Sequence, residues 1–246
     1  MAATTKTFLE LVSDVIVETG LNSGVAPSSV IGAEGDAAKV VYWVQTADMQ
    51  IQRERIDWDF LWHQENVNLT QDSNIIPQPR FNFHSPEKVV VKHINAVAKD
   101  RLAVIDSNGQ SHFPQYMDWH EFAVVYNYDT QPVSDFPSFW SMRPDGALML
   151  SEPIASSDMT CQYEYWQKPN RMVSDTAVSL IPDDFSRLIV LLAKILYAEH
   201  EDAPEVDAGS GAHYEVVFNQ MLGVHTPQSE WQRLESSDQY LTVDTR

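Results

Sequence analysis

The run LIVLLAKILYA, Leu188 to Ala198, is the most apolar stretch of the chain and sets its class. Lys194 interrupts it, and it is too short to cross about 30 Å of hydrocarbon. A helix without a polar face is buried on several sides. The acids of Pro182-Asp183-Asp184 suit the positive end of a helix and mark its start. Its apolar positions run through Phe185, Leu188, Ile189, Leu192, Ile195 and Leu196 to about Glu199. Neighbouring subunits are the easiest way to surround such a helix, so Leu188, Leu192 and Ile195 are candidates for subunit or core packing.

Two further helices lie upstream. Thr7 and Glu10 form a T-x-x-E capping box, Phe8, Leu11, Val12, Val15 and Ile16 follow at helical spacing, and Gly20 supplies a stop. Residues 21–35, rich in Gly, Ser and Pro, read as a loop. A second helix opens near Asp36 and places Val40, Val44, Ala47, Ile51 and Trp58 on one stripe. It ends in RERIDWDFLW, Arg53 to Trp62, where Trp58, Phe60 and Trp62 are expected to clamp the helix exit while Asp57 and Asp59 stay wet. A weaker helix within residues 212–222 packs through Val216, Val217 and Met221.

The middle of the chain has another rhythm. NVNLT (66–70), EKVVVKHINAV (87–97) and RLAVI (101–105) are strand-like and bounded by turn formers. FWSMRPDGALML (139–150) reads as a hairpin bent at Pro144-Asp145-Gly146. MTCQYEYW (159–166) sets Cys161, Tyr163 and Tyr165 against polar neighbours, a strand with one wet face. Asp118 and Glu121 indicate a short capped helix, DWHEFAVVY. The fold expected is α+β: a helical bundle from residues 1–62 and 178–223, an inserted antiparallel β-rich module over 63–177, and an extended C-terminal tail or arm over 224–246. No repeat occurs at a solenoid period.

Composition narrows the function. A formal net charge of −19 with pI near 4.6 argues against a sequence-independent grip on nucleic acid, and equally against docking on an anionic membrane. Cys161 is the only cysteine, which removes intrachain disulfides and Cys-based zinc sites. The N-terminus lacks the pattern of a signal peptide, so the chain is expected to be made in a reducing cytoplasm.

The search for chemistry returns structural readings. Asp57 and Asp59, two apart, point to different faces of a helix. His200, Glu201 and Asp202 are adjacent and rarely converge on one ion, and His120-Glu121 reads as surface decoration. GAEGDAAK (32–39) lacks the G-K-[ST] ending of a phosphate loop, and Cys161 has no neighbouring base. No catalytic, cofactor-binding or metal-ligating residue is assigned and no cofactor is expected.

Four segments together resemble the head-to-tail adaptor (connector) proteins of tailed bacteriophages: FLELVSDVIVETG, VVYWVQTADMQIQRERIDWDFLW, GALMLSEPIASSDMTCQYEYWQKP and SLIPDDFSRLIVLLAKILYAEHED. The DW-x-FLW helix end and I-P-x-x-F…AKILYA carry the resemblance best. It implies a structural virion protein at the capsid-tail neck, a homo-oligomeric and commonly dodecameric ring. That ring would join the portal protein to the tail or nozzle protein and extend the channel through which DNA passes without specific binding. It implies no enzymatic site. Residues 224–246 match a portal-reaching arm, with Trp231, Leu234, Tyr240, Leu241 and Val243 as portal-binding candidates. Acidic walls would suit the channel, and residues 199–207 are one place to find them. Three alternatives remain: another tail ring such as a nozzle or tail terminator, a cell-wall hydrolase using Asp57 with Glu65 or Glu54, and a monomeric regulatory module.

Overall fold

The computed structural model describes residues 5–55, 57–76, 102–127, 131–144, 147–167, 169–202 and 204–226. Two compact units divide the chain: Met1–Phe60 with Pro169–Arg246, and Leu61–Lys168. The fold is α+β.

In the helical unit, α1 (Phe8–Thr19) begins on the expected capping box. Thr7 Oγ1 accepts from the Glu10 amide at 3.3 Å and Glu10 Oε2 accepts from the Thr7 amide at 2.7 Å. Gly20 ends the helix at φ 69°, a left-handed turn that a side chain would strain. α1 buries Phe8, Leu11, Val12, Val15 and Ile16, the face read from the sequence. α2 (Gly35–Glu54) buries Val40, Trp43, Val44, Ala47, Asp48, Ile51 and Gln52. It stops at Glu54, so Trp58 lies beyond the helix and not on its stripe. The chain there turns extended at Arg55 before a 3-10 turn at Asp59–Leu61.

Asp175 pins the returning segment of this unit. Its carboxylate accepts from Ser29 Oγ at 2.9 Å and the Val30 amide at 2.7 Å, and its carbonyl accepts from the Leu9 amide at 3.2 Å. A 3-10 turn at Asp183–Phe185 leads into α4 (Arg187–Glu201), followed by α5 (Pro204–His225). α4 packs on α1, α2 and α5. It buries every residue from Leu188 to Ala193, and Ala198; Lys194 to Tyr197 are half-buried. Helices of the same chain therefore do most of the covering. The inference from an all-round apolar helix to sibling subunits is corrected accordingly: a central helix in a four-helix packing needs no other copy to hide it. α5 also departs from expectation, being longer than residues 212–222 and leaving Val216 exposed while Met221 is buried.

The β-rich unit holds two sheets. β1 (Trp62–Asn68) pairs antiparallel with β8 (Thr160–Trp166) in full register from Trp62↔Trp166 to Asn68↔Thr160. β3 (Ala103–Ile105) and β4 (Ser111–His112) complete the order β1-β8-β3-β4. Cys161, Tyr163 and Tyr165 are buried on alternate positions of β8, as their spacing predicts. β1 starts earlier than NVNLT, at Trp62.

The second sheet has the order β2-β7-β6-β5 and contains the expected hairpin of β6 (Phe139–Met142) and β7 (Leu148–Leu150). β2 (Ile75–Ile76) pairs with β7. β5 (Gln115–Tyr116) runs parallel to β6, so the module is not wholly antiparallel. A parallel pair needs a crossover connection. The short helix α3 (Trp119–Phe122), capped by Asp118, and the π turn Ala123–Asn127 lie in it, followed by residues 131–138, where Ser134 bridges Ile154. The expected strand 87–97, the bend at Asp145-Gly146 and the tail beyond Thr226 lie outside the described residues.

Candidate functional site

The exit of α2 is built on aromatic side chains. Trp58 is fully buried and stacks on Phe60 with ring centroids 5.3 Å apart, while Phe218 of α5 meets it edge-on at 6.2 Å. His225, the last residue of α5, is touched by Phe60 at 5.9 Å and by Phe185 at 5.4 Å, both edge-on. The cluster thus ties the chain after α2 to the turn before α4 and to the last residues of α5. Trp62 belongs to the β-rich unit, where its indole donates to Glu164 at 3.1 Å.

The flanking acids are occupied or exposed. Asp57 takes both its oxygens to the Arg55 guanidinium at 3.0 Å, which holds its carboxyl below the usual range. Partial burial pushes Asp59 up, against the attraction of His225. A carboxylate locked to its own neighbour two residues away is a poor general base. Glu65, on β1, accepts from the Tyr163 hydroxyl at 3.4 Å. Burial raises Tyr163 well above its ordinary value, so it stays a neutral donor.

The remaining sequence candidates are spread along the chain. Leu188 and Leu192 are buried in α4 and Ile195 is half-buried. His200 Nδ1 lies 2.9 Å from Glu201, whose carboxylate also meets Lys39 at 3.4 Å. Among the described residues no cluster of three His, Cys, Asp or Glu could hold a metal. Cys161 is buried, which pushes its thiol up to about 12. No helix of the described residues is long and apolar enough to cross a membrane. Trp231, Leu234, Tyr240, Leu241 and Val243 lie outside the described residues.

Sequence reasoning missed two features of α2. Tyr42, Gln45, Thr46, Met49, Gln50 and Arg53 form a stripe at helical spacing and line a groove with Arg171. Its signal was a mixed polar run on the far side of the apolar stripe. The second is Asp48, fully buried, with Oδ1 accepting from Ser179 Oγ. Burial pushes its carboxyl up to about 6, against the lowering effect of Ser179 and Gln52.

No curated protein matches the chain. A family model described as SU10 adaptor protein matches residues 6–239.

Proposed function

The chain belongs to the SU10 adaptor protein family, a family of phage head-to-tail adaptors, and from that premise we propose that it forms a homo-oligomeric ring joining the portal to the tail. The ring is a dodecamer in this reading. It extends the DNA channel, binds portal protein on one side and a tail or nozzle protein on the other, and sits at the capsid-tail neck of the virion. The observation that carries the reading is the extent of the match, from the capping box of α1 into the C-terminal segment.

Three features support the reading. A head-to-tail ring needs two non-identical surfaces on each subunit, and a helical and a β-rich unit supply different ones. The polar stretch 224–246, with its scattered apolar residues Trp231, Leu234, Tyr240, Leu241 and Val243, suits an arm that contacts the portal. Glu199, Glu201 and Asp202 are exposed, and carboxylates on a channel wall would let a duplex slide at contact range. Nozzle and terminator rings lean more on β-structure, so the helical unit favours an adaptor. The occupied carboxylate of Asp57 argues against a cell-wall hydrolase.

Electron microscopy of the chain mixed with purified portal ring tests this directly. Twelve-fold density on the portal is expected for the full chain and none for a chain ending at Val224. Equal occupancy by the truncated chain would refute the arm, and tight low-salt binding of duplex DNA to the assembled ring would refute the acidic channel.

A further inference from the structure

We infer that the groove on the exposed side of α2 is the docking site of residues 227–246 of the same chain in the free subunit, and that the portal must draw them out of it. The inference rests on the adaptor reading for the portal as the competing partner.

The groove encloses about 530 Å³. Tyr42, 60% exposed, stands at one end, Arg53 and Glu54 stand at the other, and Met49 lies between, with Arg171 of the returning segment also in the lining. The helix from Tyr42 to Arg53 rises about 16 Å, the span of about five residues of extended chain.

Its two arginines differ from the other cations of the helical unit. Lys6 pairs with Asp14, Lys39 with Asp36 and Glu201, Arg55 with Asp57, and Arg187 and Lys194 with Glu18. Arg53 and Arg171 are in no ion pair among the described residues, and Arg171 donates to the neutral Gln45. Glu54 offsets part of their charge and leaves the groove net positive. Guanidinium groups beside apolar surface select a segment that brings carboxylates together with large apolar side chains.

Charge chooses between the segments outside the described residues. Residues 77–101 carry Arg80, Lys88, Lys92, Lys99 and Arg101 against Glu87 and Asp100, so like charge sets them against the two arginines. Residues 227–246 carry Glu230, Glu235, Asp238 and Asp244 against Arg233 and Arg246. Glu230 adjoins Trp231, and Asp238 lies two residues before Tyr240-Leu241, so a carboxylate arrives with an apolar anchor each time.

Position favours the same segment. Tyr214 of α5 lies by the groove's cationic end, where burial, and then the Glu54 carboxylate, push its hydroxyl up to about 12. α5 runs on from Tyr214 to His225, which puts Thr226 about 18 Å further along. Extended chain covers about 3.3 Å per residue, so about five or six residues make the return. A tethered segment meets its site at an effective concentration in the millimolar range. A sibling's segment or another protein has to compete with that, and the chain's own segment wins.

The test uses the full chain without portal, carrying the photo-cross-linker Tyr42→benzoylphenylalanine. Light- and heavy-isotope chains are mixed, irradiated and mapped by mass spectrometry. The expected link joins position 42 to a peptide of residues 227–246 of the same molecule. Arg53→Glu should lower its yield roughly fivefold with helicity unchanged, high salt should lower it too, and a saturating portal ring should abolish it. The absence of any link, a link to residues 87–101, a link between light and heavy chains, or a yield indifferent to Arg53→Glu each overturns the inference and leaves the adaptor reading standing. So does a link that bound portal leaves in place. A chain that never binds portal sinks the adaptor reading, while the link made in its absence keeps the docked segment.

Discussion

Replacing Asp48 by Asn should make the helical unit more resistant to denaturant at neutral pH, and the gain should depend on pH in a defined way. Asp48 is fully buried on α2; one oxygen accepts from Ser179 and the other has no partner among the described residues. Its carboxyl sits at about 6 in the fold against an ordinary value of 3.8. Folding therefore favours the protonated acid, whose stabilisation is complete below about 4 and lost as pH rises through 6. A tenfold change in a dissociation constant is worth about 1.4 kcal/mol, so the ionised group costs about 3 kcal/mol at pH 8, and linkage reduces this to about half at pH 5. Asn keeps the acceptor for Ser179 and carries no charge. Its amide adds an unpaired donor that costs about 1–3 kcal/mol, the same at every pH. Urea unfolding of wild type and variant, followed at 222 nm at pH 5, 6, 7 and 8, isolates the titrating part. The difference between the two proteins should move in favour of Asn by about 1 kcal/mol from pH 5 to pH 8. A difference that stays flat over this range would show that Asp48 ionises in the fold as readily as in the unfolded chain, and would refute the reasoning.

Trp58→Ala should cost about 3–5 kcal/mol because it empties a fully buried site against Phe60 and Phe218. Trp58→Phe should cost less than about 1.5 kcal/mol, since it keeps the stack and removes an indole N–H without a partner; thermal melts of both variants compare the two losses. Glu18→Gln removes the partner of Arg187 and Lys194. Burial pushes the Glu18 carboxyl up, but those two cations more than offset it and hold it low. The pair's contribution, about 1 kcal/mol, should therefore persist above the ordinary carboxylate range, fade as pH falls through it, and shrink in high salt; unfolding at two salt concentrations measures this. Cys161, buried with its thiol raised to about 12, should resist a thiol reagent at pH 8 in the native chain and react within seconds in urea.

What is legible in the sequence is local. The capping box at Thr7 and Glu10, the Gly20 stop, the β6–β7 hairpin and the alternation of β8 are each written within a few residues of one another. The apolar character of α4 reads correctly as burial on several sides, but what supplies those sides cannot be read. Periodicity reports how much surface is hidden and not whose atoms hide it. The same limit explains Val216, a valine at core spacing that faces solvent because α5 already buries Met221 on its packed side. Counting in turns puts Trp58 on the α2 stripe, and the extended backbone at Arg55 breaks the count. Asp48 looks like any acid on a helix until Ser179, distant in sequence, arrives beside it. The parallel pairing of β5 rests on two residues, too few to show a period. At the candidate site, Trp58 and Phe60 stand out in the sequence, whereas Phe185, Phe218 and His225 do not, since only tertiary contact gathers them.

Trp62 pairs with Trp166 at one end of the ladder between β1 and β8. The first and last strands of the insert are thus held about 5 Å apart at the very place where the chain enters and leaves it. Closing a loop whose ends already meet adds little entropy, and that cost grows only slowly with length. The insert is in this sense a cassette: it can lengthen, shorten or be exchanged for another while its two ends, joined by the Gln167 amide donating to the Leu61 carbonyl at 2.8 Å, keep the same spacing. Relatives could then remodel what they hold without redesigning the frame that holds it.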